Sequence, residues 1–264
     1  MIMRTYSIAR WGVVALVAIA PALHAQSLAS RVSAVGNGAV NFHFAARAGV
    51  CGDGKNFMRI GHSYHGNWSS DVRSDRCDAG PVQVRLTVHD GDVERVEAWA
   101  GTMRTREGKD LGEVSSKESA QYLLGIAARA NSGASSKAIL PAVLADSVTV
   151  WPTLLVIARD SATRSRATRQ DAAFWLSRFA ASALAGKGHD LLDDDDNDDE
   201  SDKESLKKHA VFVLSQLPHG EGVPALLDVA RSNADRKVRG QALFWLGQSG
   251  DARAFALFES LLRG

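Results

Sequence analysis

A repeat in the second half of the chain is the strongest constraint on the fold. Short segments of Phe, then Trp or Val, then Leu begin at Phe174, Phe212 and Phe244, at spacings of 38 and 32 residues. The segment 154–159 recurs at 226–231, a distance of 72 residues or two units of 36. One helical hairpin cannot bury its apolar face alone, whereas stacked hairpins share a core. The spacing therefore predicts an α-solenoid of roughly three and a half two-helix repeats.

Helical periodicity supports this prediction. In the last repeat, apolar residues recur at positions 238, 242, 245 and 246, the spacing of one helix face. The final helix, expected over 252–262, has no following partner in the repeat pattern. We expect it to cap the stack, with Arg253 and Glu259 keeping the exposed end soluble.

The last repeat also carries a family resemblance. Residues 223–231, the Asp235-x-x-Val-Arg239 turn and residues 242–251 resemble a HEAT repeat of the short bacterial kind, the phycobilin-lyase-like HEAT group. The resemblance covers 150–264 and extends weakly over 115–150. It implies that Asp235 and Arg239 belong to a structural ladder between repeats. The middle repeat departs from this pattern at 206–209.

The first half of the chain has a different pattern, typical of strands. Residues 40–44, 82–88 and 93–99 alternate between apolar and polar positions. Asp90-Gly91 separates the last two runs and is a strong hairpin signal. The predicted fold is therefore mostly α, with a small β-rich module over 26–112 followed by the HEAT-like α-solenoid over 113–264.

Residues 1–25 have the pattern of a secretory signal peptide. Arg4 and Arg10 give it a positive start, an almost wholly apolar run covers 11–23, and Ala25 precedes the expected cut before Gln26. An uncleaved N-terminal anchor is the alternative interpretation. We expect an exported protein, periplasmic or extracellular, without a stable membrane span after cleavage.

Export favours oxidation of the two cysteines, Cys51 and Cys77, to a disulfide. Closing a loop of this length stabilises the fold by about 3 kcal/mol in the chain-entropy model. The alternatives are two free thiols or a zinc site that also uses His62 and His65. That second alternative makes the β module a binding site for a metal or small ligand.

The charges give a weaker indication of partners. The chain has 31 positive and 30 negative residues, so it is not a polycation that coats nucleic acid. Basic residues nevertheless gather near the expected turns between helices, and they form a possible partner surface. These residues are Arg164, Arg166, Arg169, Arg236 and Lys237. The competing interpretation is a set of structural salt bridges and solvated helix ends.

One acidic segment interrupts the repeats. Residues 193–200 contain seven acids in eight positions and lack the order of an EF-hand calcium loop. Like-charge blocks of this kind are usually solvated. We therefore expect an acidic insertion over 193–204 rather than a cation site.

No catalytic motif is present in the sequence, and no metal or cofactor is expected beyond the zinc alternative above. It lacks a Gly-x-Ser-x-Gly elbow, a His-Glu-x-x-His pair and a phosphate-binding glycine loop. Trp151, Trp175 and Trp245 lie at apolar-stripe positions, which predicts core packing rather than a ligand groove. The leading hypothesis is a non-enzymatic scaffold that binds a protein or peptide partner on the solenoid surface. The alternative is an envelope accessory protein with a ligand site near Cys51, His62, His65 and Cys77.

Overall fold

A computed structural model describes residues 26–60, 63–66, 77–129, 133–162, 164–184 and 202–264. Within these ranges, eight strands form two four-stranded sheets. The strands are β1 Gly38–Phe44, β2 Val50–Gly52, β3 Phe57–Ile60, β4 Ser63–Gly66, β5 Asp78–Ala79, β6 Val82–His89, β7 Asp92–Ala100 and β8 Lys109–Glu113.

In the same ranges, one helix precedes the strands and the others follow them. The helices are α1 Leu28–Ser33, α2 Ser116–Ala128, α3 Gly133–Lys137, α4 Ile139–Val143, α5 Trp151–Arg159, α6 Arg166–Leu184, α7 Asp202–Ser215, α8 Val223–Ser232, α9 Arg236–Ser249 and α10 Ala252–Arg263. The prediction of a mostly helical chain with a small sheet module is confirmed. Helix α1 was not predicted.

The hairpin predicted at Asp90-Gly91 is confirmed. β6 and β7 pair antiparallel on either side of these two residues. Asp90 and Gly91 both have positive φ, 49° and 83°. Turns with two positive φ values match the twist of the flanking strands, and Asp-Gly adopts them at low cost.

The larger sheet has the strand order β7-β6-β1-β8. β1 runs antiparallel to β6 and parallel to β8. Even-numbered side chains of β1 and β6 point to the core, Phe42, Phe44 and Leu86 among them. Since strand side chains alternate between faces, the odd-numbered residues form the outer face of this sheet.

The smaller sheet has the order β4-β3-β2-β5 and contacts β7 through β2 and β3. Cys51 lies in β2, and Cys77 directly precedes β5. Their sulfur atoms are 1.98 Å apart, at disulfide distance. The cysteine pair that the sequence predicted is therefore brought together.

Arg47 and a short backbone ladder make one of the contacts between the sheet and the helices. Arg47 follows β1, and its guanidinium donates to the carbonyl oxygens of Val143, Ala145 and Val148 at 3.3, 3.5 and 3.3 Å. The Arg47 amide donates to Leu144 O at 2.8 Å. Burial lowers the pKa of Arg47 from its usual value, yet a guanidinium stays charged in proteins. The guanidinium thus holds the carboxyl end of α4 against the β-rich segment.

Apolar packing extends across the same joint. The buried side chains of the sheet and of the helices belong to one hydrophobic cluster, which runs from Leu28 to Phe258. The domain boundary predicted at 112/113 falls within β8 and remains a prediction.

Capping residues explain where several helices begin. Ser115, Asp235 and Asp251 are N-caps, and each side chain accepts a hydrogen bond from an amide two or three positions later. Such caps satisfy amides that have no partner within the helix. α9 ends at Gly250, which has a left-handed backbone.

The helices do not stack in their order along the chain. α9 packs against both α6 and α7, and α6 and α7 are linked through residues 185–201, outside the described residues. A Cβ on Gly247 of α9 would lie 2.9 Å from Ala173 O of α6, so this close approach requires glycine. Helical repeats are supported, and a sequential solenoid is not confirmed.

The expectation of an unpaired terminal cap is wrong. α10 packs against α5, α6, α8 and α9. Phe255 and Phe258 are buried, and Glu259 accepts a hydrogen bond from Arg159 of α5 at 2.9 Å. The apolar face of α10 explains this position, because it contributes core contacts that an exposed cap would not make.

We predict that Arg47→Met lowers the free energy of unfolding by about 2 to 3 kcal/mol, because three carbonyl groups lose a charged donor. Urea denaturation measures the change. Arg95→Met, which removes an exposed arginine from β7, is the control and should stay within about 0.5 kcal/mol of the parent protein. Equal effects of the two substitutions would show that Arg47 does not hold the joint.

Candidate functional site

A groove of about 490 Å³ lies between strand β7 and helices α3, α4 and α6. It combines apolar walls with a few charged groups, the usual makeup of a binding site. Its lining residues are Val96, Glu97, Ala98, Trp99, Ser136, Lys137, Leu140, Pro141, Asp171, Phe174 and Trp175. We call this cavity the junction groove.

Helix α6 supplies one wall of the junction groove. Asp171, Phe174 and Trp175 are three and four positions apart, so they lie on one face of the helix. Trp175 is only 5% exposed and anchors that face in the core. The core position predicted for Trp175 is confirmed, whereas Trp151 and Trp245 are partly buried and pack against the core.

Strand β7 supplies the opposite wall, including Trp99. The guanidinium carbon of Arg106 lies 3.6 Å from the centroid of the Trp99 ring, a cation–π contact. Arg106 also donates to Gly54 O. Burial lowers the pKa of Arg106, and Arg85 lowers it further. The Trp99 ring is thus fixed at the mouth of the groove.

The charged groups of the junction groove are Glu97, Lys137 and Asp171. Desolvation raises the pKa of the Asp171 carboxyl, and Lys137 acts in the opposite direction. Asp171 is more than a third exposed, so water still screens it. The desolvation nevertheless means that the folded chain disfavours this negative charge.

A row of aromatic rings leads away from the junction groove across α6, α9 and α7. Neighbouring centroids lie 5.0 to 6.2 Å apart, the range of favourable aromatic pairs. The row consists of Trp175, Phe174, Phe244, Trp245 and Phe212. It begins at a buried ring and ends at Phe212, which is 39% exposed. We call this set the aromatic row.

The exposed end of the aromatic row continues on α7 and just after it. Val213 is 48% exposed and Leu217 is 39% exposed, beside Phe212. Within the described residues, Trp245 Nε1 is buried without a hydrogen-bond partner. Neighbouring exposed apolar side chains of this kind are typical of surfaces that contact other proteins.

The proposed basic surface is divided in the structure. Arg166 and Arg169, at the start of α6, line a cavity of about 130 Å³ with Gly247–Gly250 at the end of α9. α6 and α9 are therefore antiparallel. Arg236 and Lys237 begin α9 and lie toward its other end. Arg164 pairs with Asp160 at 3.6 Å. The five basic residues do not form one continuous row.

The predicted ladder residues have local roles. The Asp235 carboxylate accepts hydrogen bonds from the amides of Lys237 and Val238. It also lies 3.7 Å from Lys207 Nζ of α7. Arg239 donates to Asn233 O at 2.7 Å. A ladder through several repeats remains a prediction.

The metal alternative involved Cys51, His62, His65 and Cys77. The two thiols are paired with each other, and a disulfide provides no thiolate ligand. His62 and the side chain of His65 lie outside the described residues. Among the side chains that the structure does describe, no group of three His, Cys, Asp or Glu residues is placed to hold a metal ion. The acidic run 193–200 also lies outside the described residues.

Comparison with known proteins supports the helical repeats. Residues 238–264 match the family model described as PBS lyase HEAT-like repeat. This match covers most of α9 and all of α10. Comparison with curated proteins found no match, and comparison with solved structures found none either. No helix in the described ranges is both long and apolar enough to cross a membrane.

Sequence reasoning missed most of the junction groove. Trp99, Lys137 and Asp171 belong to three elements, and only the tertiary fold brings them together. The available signal was a pair of aromatics on α6 beside an isolated aspartate. That signal is also typical of an ordinary amphipathic helix.

We predict that Asp171→Asn stabilises the protein near neutral pH. The raised pKa means that the ionised carboxyl costs folding free energy above that pKa, and this cost disappears below the unfolded pKa of about 3.9. The gain should not exceed about 0.5 kcal/mol because the group is screened by water. Denaturation near neutral pH and in acid measures it.

Asp228→Asn, at an exposed site on α8, is the matched control and should show no such gain. Loss of stability in Asp171→Asn near neutral pH would contradict the assignment of desolvation as the dominant effect on this carboxyl.

Proposed function

We propose that this chain is a non-enzymatic interaction protein that binds a protein or peptide partner in the junction groove. The observation that carries the proposal is the groove itself. Its walls combine an edge strand with Phe174, Trp175 and Trp99, and only a few charged groups interrupt them. Aromatic side chains contribute a large share of binding energy at protein interfaces.

The aromatic row supports a partner larger than a small molecule. It extends the apolar surface from the junction groove to Phe212 on α7. Curved helical repeats commonly offer extended surfaces to proteins and peptides. The proposal therefore keeps the protein or peptide partner of the sequence hypothesis. It places the contact between β7 and the helices instead of on the solenoid surface, and on aromatic rather than basic residues.

We further propose that the protein is bacterial and acts outside the cytoplasm. The support is the charged and apolar pattern of residues 1–25 together with a cysteine pair at disulfide distance. The HEAT-like repeats are of a kind that the sequence resemblance associates with bacteria.

We predict that protein recovered from the envelope of a bacterial expression host begins at Gln26 and has Cys51 joined to Cys77. Non-reducing peptide mass spectrometry reads both features from one sample. A cytoplasmic version that lacks residues 1–25 is the control, and its cysteines should be accessible to alkylation. Envelope protein that retains residues 1–25 would contradict cleavage and favour an anchor.

We predict that peptides selected from a random display library on the purified protein bind in the junction groove. Leu140→Glu places a charge against the apolar wall and should weaken their binding at least tenfold, about 1.4 kcal/mol. Fluorescence anisotropy measures the affinity, and circular dichroism checks that the variant is folded.

Val156→Glu is the matched control, because Val156 is 64% exposed on α5 and does not line the junction groove. It should bind the selected peptides like the parent protein. The proposed site would be contradicted if the selection recovers no binding peptide. It would also be contradicted if the selected peptides bind Leu140→Glu and Val156→Glu as tightly as the parent protein.

A further inference from the structure

Within the described residues, the outer side of strand β7 is paired near its carboxyl end, where Gly54 N donates to Ala100 O and Asp53 bridges Gly101, and it is unpaired at Val96 and Ala98. β7 is the terminal strand of the sheet order β7-β6-β1-β8, so β6 covers only one of its two edges. Residues Val96 to Trp99 of the other edge line the junction groove. Free strand edges are templates for pairing with another extended chain.

The sheet register identifies which groups of β7 face outward. The Val114 amide donates to His43 O at 2.9 Å, so the backbone of His43 points toward β8. Residues of an antiparallel ladder alternate in direction. His43 therefore points away from β6, and its cross-strand neighbour Gln83 points toward β7. Gln83 is paired with Trp99, so the backbone groups of Trp99 bond to β6.

The neighbours of Trp99 must then point the opposite way. A second observation agrees, because the Gly54 amide donates to Ala100 O at 2.9 Å from outside this sheet. Ala98 and Val96 lie two and four positions before Ala100, so their backbone groups point in the same direction as those of Ala100. Their amide and carbonyl groups therefore face the junction groove. Within the part of the chain that the structure describes, those groups have no protein partner.

The far wall of the junction groove defines the side chains that suit an added strand. Leu140, Pro141 and Phe174 present apolar surface there, beside Asp171 and Lys137. Glu97 of β7 adds a second acid to the lining of the groove. An added strand directs alternate side chains toward that wall. Apolar residues with one Lys or Arg complement its shape and charge.

We propose that an extended segment of a partner protein adds to β7 as a fifth strand of this sheet. It pairs with the backbone of Val96 and Ala98 and directs apolar side chains and one Lys or Arg into the junction groove. This inference rests on the proposed function, since it specifies how a peptide occupies the same groove. Backbone pairing supplies affinity and the side-chain wall supplies selectivity.

The first test uses nine-residue peptides, the length of β7, that alternate valine and threonine. One has a central lysine and the other a central glutamate. We expect the lysine peptide to bind at least tenfold more tightly by fluorescence anisotropy. Two N-methylated versions of it block alternate amides. The version methylated on the amides that face away from β7 should bind like the parent peptide. The version methylated on the amides that face β7 should lose at least tenfold in affinity.

The second test changes the protein. Ala98→Pro removes the outward amide without removing a ladder bond, and proline is tolerated at free strand edges. It should weaken the lysine peptide at least tenfold, whereas Ala98→Ser should bind it normally. Hydrogen exchange provides a readout on the parent protein. The Ala98 amide should exchange faster than those of Glu97 and Trp99, and should become protected when the peptide binds.

The outcomes separate this inference from the proposed function. One outcome is that the library-selected peptides lose affinity in Leu140→Glu but keep it after every N-methylation and in Ala98→Pro. That outcome would overturn strand addition and leave the groove assignment intact. Strand addition would also be overturned if the selected peptides bind in the groove and the alternating valine-threonine peptides do not bind. Failure of both kinds of peptide to bind would overturn the two proposals together.

Discussion

The contact between Arg47 and the carboxyl end of α4 is the point on which the rest of the structure depends. One guanidinium supplies hydrogen bonds to Val143, Ala145 and Val148, and the backbone beside it adds the Leu144 and Ala45–Asp146 pairings. Partly buried carbonyl groups at a helix end need donors, and a positive charge also complements the helix dipole there. α4 also lines the junction groove together with β7, α3 and α6, so this joint contributes to the position of one groove wall. If the groove binds a partner as proposed, we expect a change in the joint to act on binding as well as on stability.

The junction groove departs from the local rules that the surrounding structure follows. In the two central strands, β1 and β6, most buried positions are apolar, with Gln83 a polar exception, and each strand is paired on both sides. At the groove, Val96 and Ala98 present outward backbone groups, and the fold disfavours the Asp171 charge. Proteins generally lose stability at such places only where another contact uses them. The two departures lie on opposite walls of one cavity, which is the arrangement that an added strand would satisfy.

Local elements were predictable from this sequence, but their arrangement in space was not. Alternation and Asp90-Gly91 specify the β6–β7 hairpin, and the apolar periodicity specifies α9, because both signals arise within a few residues. The position of β7 at the sheet edge depends on pairing between β1 and β6, which are distant in sequence. The antiparallel packing of α6 on α9 likewise depends on Gly247, whose role appears only when Ala173 lies against it. The same packing separates the two groups of basic residues, 164–169 and 236–237, that the sequence analysis assigned to one partner surface near the turns between helices.

The antiparallel arrangement also determines what kind of partner can use both surfaces. The proposed extended chain would lie along β7 in the junction groove, whereas the aromatic row crosses α6, α9 and α7 and ends at the exposed Phe212. Trp175 and Phe174 belong to both, so the two surfaces are continuous. A strand that leaves the groove at Phe174 would meet rings with wide apolar faces, which pack against helices and loops as readily as against strands. A partner that uses both surfaces would therefore have an extended segment followed directly by a second apolar element. A short isolated peptide would use only the first of the two surfaces.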